Sequence, residues 1–111
     1  MNINEIDEIK RVAEKAARSA GEIIKEGLAR DFSISYKGPV NLVTEIDRES
    51  EDLIVKIIKK RFPDHLILAE EGHRDVGGSR FKWIIDPLDG TTNYAHRFPF
   101  FCISIGFEAD G

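Results

Sequence analysis

WIIDPLDGTTNYAHRFPF, residues 83–100, runs an apolar segment straight into two aspartates, a glycine and two threonines. The run Phe81–Ile85 predicts a buried strand that ends at Asp86-Pro87. Gly90-Thr91-Thr92 then predicts the start of a short helix, whose first amides can receive a phosphate. Pro87 restricts the backbone after Asp86, so two carboxylates three positions apart can converge on one side of the turn, with the Leu88 carbonyl between them available to a cation. A buried strand ending in charge and hydroxyls is a rigid post for a site.

Upstream, HLILAEEG (65–72) predicts a second short buried strand, finishing in Glu70 and Glu71, and HRDVGGSR (73–80) a polar loop. Before it, TEIDRESEDLIVKIIKKRF (44–62) predicts a helix with Thr44 at its start, Asp47 three residues on as a near-match to a capping box, and a buried stripe of Leu53, Ile54, Ile57, Ile58 and Phe62. Alternation of Phe32, Ile34 and Tyr36 with polar neighbours predicts a half-buried strand over 31–38, turned by Gly38-Pro39. At the N-terminus, Ile6, Ile9, Ala13, Ala16, Ala17, Ala20, Ile23, Ile24 and Leu28 recur at helical spacing, predicting one long helix from Asn4 to about Arg30. Downstream, FCISIGFEADG predicts a strand to Ala109 and a turn at Asp110-Gly111. A hairpin would continue there with a further strand, so a longer protein is expected.

Composition narrows the classes. The 111 residues are 41% hydrophobic and 32% charged, the balance of a globular domain rather than a disordered chain. The formal net charge is −4, with no basic run suited to a phosphate backbone, so nucleic acid is not the expected partner. A single cysteine, Cys102, excludes an internal disulfide and a multi-thiolate metal site, and its apolar neighbours predict burial. No segment has the length and apolarity of a membrane span or a signal peptide core, which makes a cytoplasmic, membrane-free protein the expectation. Carboxylates at the ends of successive elements, Asp47, Glu70, Glu71, Asp86 and Asp89, invite a hard divalent cation such as Mg2+. Each alone reads first as a turn, a cap or a solvated loop end; it is their conjunction with a glycine-threonine helix start that raises metal-assisted phosphate chemistry.

NLVTEIDRESE, AEEG and above all WIIDPLDGTTNYAHRFPFFCISIGF together resemble the N-terminal half of the inositol monophosphatase family, the Mg2+-dependent, lithium-sensitive sugar phosphatases. The resemblance covers nearly the whole chain. It implies an α+β fold, a layered sandwich of helices and a largely antiparallel sheet of the sugar phosphatase type, with residues 1–111 as its N-terminal metal- and phosphate-binding portion. It further implies that Glu70, Asp86, the Leu88 carbonyl and Asp89 are metal ligands, that Gly90, Thr91 and Thr92 hold phosphate, that Thr91 with Asp47 activates the attacking water, and that Lys37 and Glu71 play supporting roles.

The implied activity is Mg2+-dependent hydrolysis of a phosphate monoester, with myo-inositol monophosphate first among substrates, in a homodimeric enzyme acting on a small phosphorylated sugar or polyol. Fructose 1,6-bisphosphate and other small phosphates, and a non-catalytic metal-binding or protein-interaction module, are the alternatives. Ala69 stands where the family usually has glycine, and the family's second half, with its Trp-Asp metal-binding motif, lies outside this sequence. His96, Arg97, Phe81 and Trp83 are expected to serve packing rather than chemistry.

Overall fold

Asn2 opens the first helix by accepting the Glu5 amide on its side chain at 2.8 Å, which satisfies one of the amides a helix start leaves open. The computed structural model describes residues 1–29, 34–37, 41–69, 72–90, 93 and 102–110, with the backbone alone at 34–37 and 41–44. Among the described residues the named elements are two helices, α1 (Ile3–Gly27) and α2 (Glu45–Arg61), and five strands, β1 (Ile34–Lys37), β2 (Asn41–Thr44), β3 (Leu66–Ala69), β4 (Phe81–Asp89) and β5 (Cys102–Ala109). The fold is α+β.

α1 turns Ile9, Val12, Ala16, Ala20 and Ile24 inward. Ala16 and Ala20 are fully buried, and their small side chains let α2 and the sheet come close. Ile6, expected in the stripe, is 40% exposed, because the helix's first turns extend past the packed region. From α2, Ile54 and Ile58 are buried and Leu53 and Ile57 only partly so. Ile54, Ile57 and Ile58 meet Ile67, Ala69, Trp83 and Ile85 from the sheet in one cluster, edged by Ile105 and Phe107 of β5.

β1 and β2 form an antiparallel pair with Lys37 opposite Asn41. The other sheet has the order β3-β4-β5 and is mixed: β4 and β5 run antiparallel, while β3 and β4 run parallel. Most of the pairing is antiparallel, as expected, and the cause of the one parallel pair lies in the loop at 73–80. Its first residues double back along β3, with Ala69 N donating to His73 O at 2.7 Å, Asp75 N to Ile67 O at 2.8 Å, and a bridge between Leu68 and Arg74. The chain is thereby carried back to the start of β3 before β4 begins. Asp75 secures the return by accepting the Ile67 amide at 3.1 Å and pairing with Lys59 at 2.7 Å. The Lys59 hydrogen bond holds the Asp75 carboxyl below its ordinary range.

At the opposite border, Arg80 clasps Asp110 through two hydrogen bonds of 2.6 and 2.8 Å, and Asp110 N donates to Arg80 O at 2.8 Å. Asp110 takes φ 61; Gly111, the second residue of the expected turn, lies outside the described residues. Cys102 is exposed, contrary to the expected burial. Its position on β5 alternates with the inward Ile103 and Ile105, which places it on the face turned away from the helices.

Candidate functional site

β4 does not stop at Asp86 but continues to Asp89 through an irregularity. Asp86 pairs with Ser104 and Asp89 with Cys102, so three steps along β4 match two along β5. The extra residue is a β-bulge, and it coincides with Pro87, which has no amide to give to the ladder. The consequence is geometric. In a regular strand residues three apart face opposite sides; the bulge returns Asp89 to the side of Asp86. Their partners Ser104 and Cys102 share one exposed face of β5, and the Cys102 thiol lies 3.8 Å from Asp89 Oδ2.

The Asp86 side chain shapes the bulge by accepting the Leu88 amide at 3.3 Å. Pro87 and Leu88 are buried, Asp86 is half-buried and Asp89 is exposed. Gly90 follows with φ 89, a backbone that a Cβ would strain, and Asn93 is helical, consistent with the predicted change from strand to helix.

α2 meets this strand end with its first turns. Ile46 packs with Leu88 and Ile24, and the Ser50 hydroxyl donates to Pro87 O at 3.0 Å. Beside Ile46, Asp47 is only 1% exposed. A buried carboxylate is costly unless its charge is offset. By residue type, Asp86, Asp89 and the Leu88 carbonyl of β4 and Asp47 of α2 offer hard oxygen donors, a chemistry that fits Mg2+.

The remaining predicted residues are less fully described. Lys37 ends β1, described in its backbone alone. Glu70, Glu71, Thr91, Thr92, His96 and Arg97 lie outside the described residues. Glu70 and Glu71 follow directly on Ala69, the last residue of the strand that pairs in parallel with β4, with Ala69 opposite Ile85.

Four residues the sequence did not single out, Ser50, Glu51, Asp52 and His73, lie beside these elements. Ser50 is fully buried and Glu51 is 2% exposed. Glu51 Oε2 accepts the Nδ1–H of His73 at 2.5 Å and the His73 amide at 3.4 Å. Glu51, Asp52 and His73 bring ligand atoms within 4.8 Å of one another, a group able to hold a metal. The signal was present in DRESE: positions 47, 50 and 51 share one helical face, though their polarity reads as solvated.

The inositol monophosphatase family model matches residues 5–111. The chain is 46% identical over 109 residues to inositol monophosphatase 3 of Solanum lycopersicum, covering 95% of this chain and 41% of that protein. It is 42% identical over 99 residues to inositol monophosphatase 1 of Homo sapiens, covering 85% of this chain and 36% of that one. Among solved structures, the extragenic suppressor protein suhB of Bartonella henselae superimposes with a TM-score of 0.89 at 36% identity, over 93% of this chain and 41% of its own. Inositol monophosphatase from Anabaena gives 0.79 at 39% identity, over 96% and 37%. The chain thus spans about two fifths of the length of these relatives. With the family model matched over almost all of its length, the chain belongs to the inositol monophosphatase family.

Proposed function

We propose that the chain forms the metal- and phosphate-holding part of a phosphatase that hydrolyses a phosphate monoester with Mg2+, on a small phosphorylated polyol, myo-inositol monophosphate first. The observation that carries this reading is the bulge at Pro87, which sets Asp86 and Asp89 on one face of the sheet. The relatives named inositol monophosphatase support the substrate class.

Glu70, Asp86, the Leu88 carbonyl and Asp89 would hold Mg2+, which supplies charge neutralisation and a more acidic water. The chain's own groups do the rest. Gly90 has a positive φ, and the amides of Gly90, Thr91 and Thr92 would receive phosphate oxygens. The buried Asp47 carboxylate can only accept hydrogen bonds when ionised, so it would accept the Thr91 hydroxyl hydrogen bond and leave the Thr91 oxygen lone pairs to orient the attacking water. Lys37 and Glu71 would support the water network around the site. A lithium-sensitive, cytoplasmic homodimer is the accompanying expectation.

Phosphate release from inositol 1-phosphate by this chain, with and without Mg2+, beside Asp89→Asn, tests the proposal. Mg2+-dependent release lost in the variant is expected. Release that ignores Mg2+, or persists unchanged in Asp89→Asn, would overturn it. Faster release from fructose 1,6-bisphosphate would keep the chemistry and change the substrate.

A further inference from the structure

We infer that Ser50 and Glu51 are positioning residues that hold the acid-bearing ends of β4 and β3 in fixed relation for cation binding. The inference rests on the metal-site reading above. Asp47, Ser50 and Glu51 stand at i, i+3 and i+4 of α2, and are 1%, 0% and 2% exposed. The strip is polar where the rest of the helix's buried face is isoleucine.

Each of the two residues ties down a different strand. Ser50 donates to the carbonyl of Pro87, the residue between Asp86 and Leu88. Glu51 accepts both the ring and the backbone N–H of His73. His73 in turn accepts the Ala69 amide, so the chain leaving β3 is fastened again four residues on, and Glu70 lies within that span. A position required only for packing is served better by alanine or leucine, because a buried hydroxyl or carboxylate loses hydration. Hydrogen bonds from one rigid helix to two strand ends instead limit how far the ligands on those ends can drift apart.

Calorimetric titration of Mg2+ into the chain tests this, below the unfolding midpoint of every variant compared. Ser50→Ala and His73→Ala should each weaken Mg2+ binding by about tenfold, the size of effect expected for partners that orient metal ligands. The His73 side chain is 41% exposed, so its removal leaves the core intact. His73→Asn returns an N–H donor near the place of Nδ1 and should restore affinity to within about twofold of the parent. Asp89→Asn, which alters a ligand, should remove measurable binding.

Unchanged affinity in either alanine variant, beside a parent that binds and an Asp89→Asn that does not, would overturn the positioning role while leaving the metal site standing. A loss in His73→Ala that His73→Asn does not restore would also overturn it. A parent chain that takes up no Mg2+ would overturn both.

Discussion

The indole of Trp83 can only donate, so its 3.0 Å contact with His65 Nδ1 fixes the imidazole proton on Nε2. His65 is stacked on Phe62 at 4.4 Å and flanked by Phe81 and Phe107. Burial lowers its pKa from 6.5, helped by Lys59 and Arg61 and opposed by Asp64. A depressed folded-state pKa means that the neutral ring's contribution is complete above about 6.5 and is lost as pH falls through the folded value. Urea midpoints followed by Trp83 fluorescence should therefore decline between about pH 7 and 5, and the His65→Phe variant should show a shallower decline. Equal slopes would contradict the assignment. Gly90 makes a second residue-level prediction: Gly90→Ala places a Cβ at φ 89 and should destabilise by about 1–3 kcal/mol in thermal unfolding. Sequence reading places Trp83 in the core and Asp47 in the first turn of α2, where the structure has them. It missed Ser50 and Glu51, because a charged or hydroxyl residue in a helix declares its polarity but not which neighbours will bury it.

At the level of elements, the alanine stripe of α1 was legible from spacing alone, and its packing gives a sharp test. Ala20→Leu, at a fully buried position, should cost about 1–3 kcal/mol by overpacking, while Arg18→Leu on the exposed face should stay within about 0.5 kcal/mol. Thermal unfolding of the pair would decide it, and equal effects would sink the close-packing account. The end of β4 was misjudged for an instructive reason. In the sequence Pro87 reads as a stop, yet a bulge accommodates a residue with no amide and lets pairing resume at Asp89. The parallel pairing of β3 and β4 was also hidden, since it depends on a loop that folds back on β3 through backbone bonds at His73 and Asp75, which leave no hydrophobic period to detect.

For the whole molecule, the helices cover one face of the β3-β4-β5 sheet, while Ile84, at 44% exposure, and Cys102 lie on the other. Among the described strands, β5 pairs only with β4. The chain should therefore self-associate at high concentration, as sheet edges and exposed apolar residues favour; a clean monomer by light scattering would count against this. Among the described residues no helix is long and apolar enough to cross a membrane. Fold class and family were legible because the DPLDGTT run combines a strand end, a glycine turn and its carboxylates in consecutive residues. How α2 braces that run was not, since the bracing joins positions 37 residues apart, Ser50 and Pro87.

The most direct test of the site is a crystal of this chain soaked in Mn2+, another hard divalent cation suited to oxygen ligands, with the ion located by its anomalous scattering. The bulge predicts a peak in direct contact with the carboxylates of both Asp86 and Asp89. A peak confined to Glu51, Asp52 and His73, or an ion touching neither strand-end aspartate, would contradict the central claim.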